Sequence, residues 1–318
     1  MKNLLKISMI VFIAIGISSC SDDDDNNPNP QTNTIADFVS SNDDYSSLEA
    51  ALDKAGLTAT LAGQGDFTVF APNNAAFAAF LTANGFASLD DVPTDLLTNV
   101  LLNHVVAGKV MAADLSTGYI NSLATESTSG ENLSMYVNTS SGVSLNGVST
   151  VTSADVAVDN GVIHAVNAVI GLPTVVTFAT ADPTFATLVA ALTRADQPDF
   201  VGILSTPAGT SPAPFTVFAP TNDAFVALLT ELGASGLGDI EGAVLTATLN
   251  THVIAGANVR AEDLVDGTVE TLGADLIVDA SGATLTDVNG RLSNIIVVNV
   301  QASNGVVHAI DKVLLPQL

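Results

Sequence analysis

Four histidines lie at corresponding positions in two similar halves of the chain: His104 and His164 in the first half, and His252 and His308 in the second. Imidazole is a common metal ligand and general base, and a ligating histidine is usually oriented by a nearby carboxylate. However, neither half shows a third ligand at a recognisable spacing, an HExxH sequence or a pair of cysteines. The pattern therefore favours histidines that are hydrogen-bonded inside a core, where each ties a helix end to a strand.

Other sequence signatures of catalysis are missing. The chain has no Gly-x-Ser-x-Gly, Ser-x-x-Lys, Walker or Gly-x-Gly-x-x-Gly sequence. Asp287, Asn289 and Gly290 resemble part of a calcium loop, but the other ligands are absent, and these residues predict a turn. We predict a protein without catalytic residues, metal or cofactor; a hydrolase with an unrecognised site is the least favoured alternative.

The histidines belong to an internal repeat. Residues 67–77 return as 215–225 with nine of eleven positions identical, 104–108 return as 252–256, and 160–165 return as 304–309. The offsets of 148, 148 and 144 residues are too long for a solenoid repeat and suit a unit that folds by itself. The sequence predicts two tandem domains, 34–173 (the first repeat) and 174–318 (the second repeat). The short junction 171–175 predicts that they lie close together.

Helical patterns dominate the first part of each repeat. Tyr45, Leu48 and Leu52 recur at helical spacing, as do Phe185, Leu188 and Leu192. A second helix is expected after each Ala-Pro, and a third over 96–101 and 244–249. The candidate N-caps of the second helix are Asn73 or Asn74, and Asn222 or Asp223. The acidic pairs Asp43-Asp44 and Asp90-Asp91 predict helix starts.

Strand patterns dominate the second part of each repeat. Leu133, Met135 and Val137 alternate with polar residues and predict a half-buried strand. Asn-Gly pairs at 146–147, 160–161, 289–290 and 304–305 predict hairpin turns. The last strands, 162–170 and 306–315, are apolar on both faces and are expected in the middle of the core. Helices followed by strands predict an α+β domain.

One loop distinguishes the second repeat. Residues 196–214 contain four prolines and make a longer connection than 56–66 of the first repeat. Phe200 and Ile203 are expected to be exposed there. A tolerated surface insertion and a functional loop both remain open.

The charge balance limits the possible partners. The formal net charge is -25, from 33 acidic residues against 8 lysines and arginines. Such a surface repels phosphate backbones, so we predict no nucleic-acid binding. A self-repelling surface, a role in binding cations or basic partners, and adaptation to salt water are all compatible with this charge.

The N-terminal residues predict export and an anchor. Lys2 and Lys6 precede a short apolar segment, 7–17, and residues 17–20 resemble a bacterial lipobox. We therefore expect a signal peptide over 1–19 and lipid attachment at Cys20, the single cysteine; an ordinary secretory signal is the alternative. Residues 20–33 predict a flexible acidic tether. They resemble the surface-export signals of Bacteroidetes lipoproteins, although a plain spacer is equally compatible.

The repeated motifs resemble the fasciclin domain, twice over and across nearly the whole chain after the tether. The resemblance rests on 67–77 and 215–225, on the His-Val-Val/Ile-x-Gly segments, and on 161–169 and 305–313. It implies a wedge or sandwich of β-strands faced by several helices, and extracellular adhesion. The Tyr-His segment of the family corresponds to Asn103-His104 and Thr251-His252 here. The missing tyrosine argues against the integrin recognition linked to that segment in animal members.

The family motif identifies candidate residues, for which we predict a structural role. They are Phe67, Pro72, Asn74, Phe77, His104, Gly161 and His164, and then Phe215, Pro220, Asn222, Phe225, His252, Gly305 and His308.

The anchor and the motifs together predict a non-enzymatic lipoprotein of the cell envelope, lipid-anchored at the outer membrane and exposed on the cell surface. Its expected partners are the membrane, through Cys20, and an extracellular matrix polymer, a glycan or a cell-surface protein. The alternative is a periplasm-facing lipoprotein that binds a small hydrophobic ligand or acts as a scaffold.

Overall fold

The computed structural model describes residues 33–317. The predicted signal peptide 1–19, the lipidation site Cys20 and nearly all of the predicted tether lie outside the described residues.

The first repeat contains five α-helices and seven strands within the described part of the chain. In chain order they are α1 (Ile35–Ser40), α2 (Ser46–Ala55), α3 (Thr58–Ala62), β1 (Phe67–Pro72), α4 (Asn74–Ala83), α5 (Thr94–Leu102), β2 (Val105–Ala107), β3 (Gly118–Thr125), β4 (Asn132–Asn138), β5 (Ser144–Leu145), β6 (Ser149–Val158) and β7 (Gly161–Val166).

The second repeat contains the same series of elements. They are α6 (Val175–Ala181), α7 (Ala186–Leu192), α8 (Phe200–Leu204), β8 (Phe215–Pro220), α9 (Asn222–Leu232), α10 (Gly242–Thr251), β9 (Val253–Ala255), β10 (Gly267–Val269), β11 (Leu276–Asp279), β12 (Thr284–Thr286), β13 (Leu292–Ala302) and β14 (Gly305–Ile310).

Each repeat forms one sheet of seven strands with the same topology. The orders are β2-β1-β7-β6-β5-β4-β3 and β9-β8-β14-β13-β12-β11-β10. The pairs β1–β7 and β8–β14 are parallel, and the other neighbours are antiparallel. The α+β prediction is confirmed. However, β1 and β2 lie among the helices, so the simple order of helices followed by strands is wrong.

Two apolar layers place β1 at the centre of the first repeat. Val69 and Ala71 face a cluster formed with the helices, whereas Phe70 faces a second cluster with Met135, Val137 and Leu145. The strands β4 and β5 therefore pack over β1, as in a sandwich or wedge. Register shifts in β6 allow this strand to pair in both halves of the sheet.

The observed helix starts agree with the sequence prediction, with one exception. Asn73 is the N-cap of α4, and its side chain accepts the Ala76 N–H. In α9 the N-cap is Thr221, so the prediction of Asn222 or Asp223 is wrong. Threonine is also a good N-cap, and its use leaves the Asn222 amide free to bind elsewhere. Both acidic pairs lie in short 3₁₀ helices: Asp43 begins the helix Asp43–Tyr45, whereas Asp90 and Asp91 are the second and third residues of Leu89–Asp91.

The Asn-Gly pairs do not all occupy the same place. Asn146-Gly147 and Asn289-Gly290 lie in hairpin connections, as predicted. At 160–161 and 304–305, however, the glycine is the first residue of β7 or β14, and the turn precedes it. A Cβ on either glycine would collide with the carbonyl oxygen of Phe67 or Phe215 on the neighbouring parallel strand. Glycine is therefore required there by close approach of two backbones.

The burial of two segments differs from the prediction. The strand β4 is buried on both faces from Leu133 to Val137, not on one, because the second repeat covers its outer face. Phe200 is also buried, since the long loop contains α8 and this helix packs on the core. Ile203 is exposed, as predicted.

Among residues 33–317, no single helix has the length and hydropathy needed to cross a bilayer. The helix α6 and the segment Pro183–Leu192 meet the criterion only together, with a bend of 94° between them.

Candidate functional site at the junction of the two repeats

His104 and His252 each join a helix end to the segment that follows the last strand of their repeat. His104 Nε2 accepts the Ile170 N–H at 2.8 Å, so the proton is on Nδ1, which donates to the Val100 carbonyl at 2.7 Å. His252 repeats this arrangement with Leu314 and Thr248. Burial lowers the pKa of both rings to about 4, so both are neutral at pH 7.

His164 and His308 lie on β7 and β14 with the opposite tautomer. Their Nδ1 atoms accept the N–H groups of Asp155 and Asn299, and their Nε2 atoms donate to the carbonyls of Val110 and Val259. Burial also lowers the pKa of His308. All eight ring nitrogens are thus held by backbone groups, and none is free to bind a metal or abstract a proton. Within residues 33–317, no group of three or more His, Cys, Asp or Glu residues could hold a metal ion.

The remaining motif residues also make internal contacts. The amide of Asn74 accepts the Ser47 N–H and donates to the Asp43 carbonyl, and Asn222 does the same with Thr187 and Pro183. These amides tie the start of α4 or α9 to the turn before α2 or α7. Phe77, Phe215 and Phe225 are buried in the core, Phe67 packs against it, and Pro72 and Pro220 end β1 and β8.

The positions that carry tyrosine in the family are buried. The Asn103 amide donates to the carbonyls of Ile170 and Gly171 and accepts the Ser122 hydroxyl. Thr251 donates to the Ala247 carbonyl and accepts the Ala274 N–H. Neither side chain is available to a partner in this structure.

The two repeats meet in a contact with a buried centre. Tyr136, on the outer face of β4, belongs to the same apolar cluster as Phe178 and Val300 of the second repeat. Tyr119 packs edge-on against Phe178, with ring centroids 5.6 Å apart, and against Tyr136 at 5.1 Å. Aromatic contacts of this kind add to the free energy of burial and fix the relative orientation of the partners.

Polar groups add specificity to this contact. The Tyr119 hydroxyl donates to the Asp182 carboxylate at 2.9 Å, and the Gln301 N–H donates to the Ser134 hydroxyl at 3.0 Å in a buried position. Burial, and then the charge of Asp182, raise the pKa of Tyr119 and bring the pKa of Tyr136 to about 12. Both tyrosines therefore stay protonated at pH 7, as the hydrogen bond to Asp182 requires.

A cleft of about 560 Å³ opens beside this contact. Arg260 of the second repeat reaches Glu131 of the first at 3.3 Å across it. The remaining walls combine amides with exposed valines and are formed by Gly118, Tyr119, Asn121, Asn132, Ser134, Val297, Val298, Asn299 and Val300. A volume of this size, with apolar walls and several hydrogen-bonding groups, suits a small polar ligand such as a sugar unit.

Sequence reasoning missed the residues of this junction. Tyr119 and Tyr136 are two of the three tyrosines in the chain, and neither has a tyrosine counterpart in the second repeat. The motifs consist of residues that the repeats share, whereas these two tyrosines differ between the repeats. The sequence signal that points to the junction is the presence of tyrosines on these strands in the first repeat alone.

Comparisons with known proteins identify the repeated unit. The family model described as "Fasciclin domain" matches residues 43–173 and again 183–316. The predicted two tandem copies are thereby confirmed, while the boundaries at 34, 173 and 174 stay predictions.

Curated relatives include proteins from bacteria and animals. Protein sll1483 of Synechocystis is 41% identical over 137 residues, which cover 43% of this chain and 72% of that protein. Transforming growth factor-beta-induced protein ig-h3 of Sus scrofa is 34% identical over 267 residues, 80% of this chain; the chain spans only 35% of that protein's length. Cell surface glycolipoprotein MPB83 of Mycobacterium bovis is 36% identical over 145 residues, which cover 45% of this chain and 60% of that protein.

Among solved structures, a FAS1 domain pair from the insect cell adhesion molecule Fasciclin I matches with a TM-score of 0.46 and 19% sequence identity. It covers 84% of this chain and 92% of that chain.

Proposed function

Because this chain belongs to the fasciclin domain family over both of its repeats, we propose that it is a non-enzymatic adhesion protein of the cell surface. Adhesion here means contact with a matrix polymer, a glycan or a protein of a neighbouring cell. The observation that carries the proposal is the junction of the two repeats, where a buried contact holds a solvent-open cleft in one shape. Preorganised sites lose less conformational entropy when they bind.

The chemistry of the cleft favours a hydroxyl-rich ligand. Asn121 and Asn132 offer amide donors and acceptors, the Arg260–Glu131 pair offers charged ones, and Val297 and Val298 offer apolar surface. Sugar rings present hydroxyl groups around an apolar face, so they can use both kinds of wall. We therefore place glycan contact at this cleft.

The relatives support the surface location. The name of the Mycobacterium relative describes a cell surface glycolipoprotein, and the lipobox-like residues before Cys20 fit such an anchor. We propose that this chain is also lipid-anchored through Cys20 and that both repeats face outward from the outer membrane. Protease treatment of intact cells tests this: digestion of the protein, with a periplasmic marker intact in the same tube, is expected. Protection until the outer membrane is broken would contradict it.

Binding is tested with the full chain carrying Cys20→Ser, which cannot be lipidated. A screen over glycans, matrix polymers and cell preparations should give at least one saturable ligand. The double variant Asn121→Ala with Val298→Asp should weaken that binding at least tenfold. The matched control is Asn84→Ala with Val226→Asp. It changes an exposed amide at the end of α4 and an exposed valine on α9, neither of which lines the cleft, and it should leave binding unchanged. No binding to any preparation would contradict the adhesion proposal.

The alternative of a small apolar ligand has one observation in its favour. An apolar cavity in the second repeat lies among α6, α7 and α8 and is lined by residues such as Val176, Leu188 and Val201. It holds only about 30 Å³, far less than the roughly 300 Å³ or more of a typical ligand pocket. A ligand would require these helices to move apart, and a co-purifying small molecule in native mass spectrometry would favour this alternative.

A further inference from the structure

The contact between the repeats joins two different surfaces. The first repeat contributes the outer face of β3 and β4, with Tyr119, Ser134 and Tyr136, which we call the strand face. The second repeat contributes α6 and the end of β13, with Phe178 and Val300, which we call the helix face. Such a contact is heterologous, because a surface of one kind meets a surface of another kind. Each repeat therefore has one of its two faces left over.

The strand face of the second repeat is not covered by any part of the chain that the structure describes. Strand register makes Ile277 the counterpart of Tyr136, since Val137 pairs with Gly118 as Val278 pairs with Gly267. Tyr136 is 3% exposed, whereas Ile277 is 56% exposed. Thr268 and Thr286 are its partners across the sheet, and Leu292, opposite Thr286, is also exposed. A row of apolar and threonine side chains thus crosses β10 to β13 on the outer surface.

Within residues 33–317, no other repeat covers the helix face of the first repeat either. Phe38 corresponds to Phe178, because each lies four residues after a threonine N-cap with a capping box. Phe178 is fully buried but Phe38 only partly so. Val156 corresponds to Val300, since each follows the residue whose N–H binds the β7 or β14 histidine, and Val156 is again the more exposed of the two.

A third position makes the helix face of the first repeat more apolar than its counterpart. The carbonyls of Val110 and Val259 both accept from a histidine ring, so Met111 corresponds to Arg260. Met111 is 38% exposed. The two uncovered faces therefore present Ile277 and Leu292 on one side, and Phe38, Met111 and Val156 on the other.

We propose that copies of this chain associate head to tail, with the strand face of the second repeat of one copy on the helix face of the first repeat of the next. The occupant follows from the molecule itself, because the same two kinds of face are already joined within each chain. A heterologous contact of this kind does not close on itself unless its rotation forms a ring, so it generates rows of molecules.

The differences between the faces make the association weak and dependent on salt. Thr268 replaces Tyr119, and Asn42 replaces Asp182, so the aromatic contact and the hydroxyl–carboxylate bond of the internal junction are lost. The net charge of -25 on each copy also opposes contact. Salt screens repulsion between exposed charges, and it should therefore strengthen this association.

Sedimentation equilibrium of the full chain with Cys20→Ser tests the proposal over a range of protein concentrations, at low and at high salt. We expect association that increases with salt. Ile277→Asp and Met111→Asp should each weaken it at least tenfold. Val226→Asp, at a site on α9 that is 61% exposed, should leave it unchanged. A wild-type protein that stays monomeric at high salt would overturn the proposal.

Mixing the two variants separates head-to-tail association from other modes. Ile277→Asp keeps an intact helix face, and Met111→Asp keeps an intact strand face, so the mixture should form heterodimers that do not grow further. A symmetric contact between two Ile277 faces would not be restored by mixing, and this result would overturn the proposal. Association that persists in all variants, as expected for contact through residues 1–19, would also overturn it. These readouts are independent of ligand binding, so they do not depend on the adhesion proposal.

Discussion

Asn160 and Ile35 lie 125 positions apart in the chain, and the Asn160 Oδ1 atom accepts the Ile35 N–H at 2.9 Å. The amide nitrogen of Asn160 donates to the carbonyls of Leu61 and Gly63. One side chain thus holds the start of α1 and the end of α3 against the turn before β7. Asn304 makes the same three contacts with Val175, Leu204 and Thr206 in the second repeat.

Replacing this amide should be costly. Asn160→Ala leaves one N–H and two carbonyl groups without their partner in a buried place, and we expect the free energy of unfolding to fall by about 3 kcal/mol. Urea denaturation measures this. Asn84→Ala, which removes an exposed amide at the end of α4, should change stability by less than about 0.5 kcal/mol. Equal effects of the two variants would contradict the role of Asn160.

Stability should depend on pH through His104 and His252. Burial lowers the pKa of each ring to about 4 in the folded chain, against about 6.5 in the unfolded chain. Protonation therefore favours unfolding: the full stability is present above pH 6.5 and is lost as the pH falls from there towards 4. Each histidine accounts for about 3 kcal/mol over the whole window.

The measurement is the urea midpoint between pH 7.5 and 5, above the range where most carboxylates titrate. His104→Gln should be less stable than the wild type at pH 7.5 but should lose less stability as the pH falls. A wild-type midpoint that does not change between pH 6.5 and 5 would contradict neutral, buried rings.

The junction of the repeats should contribute strongly to stability. Tyr136→Ala removes a buried ring from a shared apolar cluster, and we expect a loss of about 3 kcal/mol or more. Calorimetry should also show that the unfolding transitions of the two repeats lie further apart in temperature than in the wild type. Ile277→Ala is the matched control, because it lies at the same strand position of the second repeat but is exposed. A single unchanged transition for Tyr136→Ala would show that the repeats are coupled elsewhere.

Gly161 should not tolerate a side chain. A Cβ at this position would meet the Phe67 carbonyl oxygen and the Ile35 side chain, so Gly161→Ala should lower the free energy of unfolding by about 2 kcal/mol or more. Gly238→Ala, in a short turn with open space around it, should have little effect. Denaturation curves of the two variants decide this, and similar midpoints would exclude the steric explanation.

The motif residues made the fold predictable because their roles are local or are repeated. Asn73 caps α4 by accepting an N–H three residues further along the chain, and the spacing of Tyr45, Leu48 and Leu52 describes one helix face. The position of Gly161 was less predictable: an Asn-Gly pair usually forms the turn itself, whereas here the approach of β1 places the glycine inside β7.

The junction could not be predicted from either repeat alone. Alternation in β4 predicts one buried face. The corresponding strand β11 has such a face, with Leu276 and Val278 buried and Ile277 exposed. In β4 the second face is buried only because another domain covers it. The identity of that covering surface depends on contacts between Tyr136, Phe178 and Val300, which lie far apart in the sequence.

The bonds between Asn33 and Asp159 determine how tension would pass through the molecule. Asn33 N–H donates to the Asp159 carboxylate at 2.8 Å, and Asp159 N–H donates to the Asn33 carbonyl at 2.9 Å. In the second repeat, Ser303 donates twice to the Pro173 carbonyl at the corresponding turn. A pull on the N-terminal side would therefore reach each sheet at the turn before β7 or β14, the third of its seven strands. Because β7 and β14 are hydrogen-bonded to a neighbour on both sides, whereas β3 and β10 are edge strands bonded on one side, we expect a pull at β7 or β14 to load more backbone hydrogen bonds than a pull at the edge.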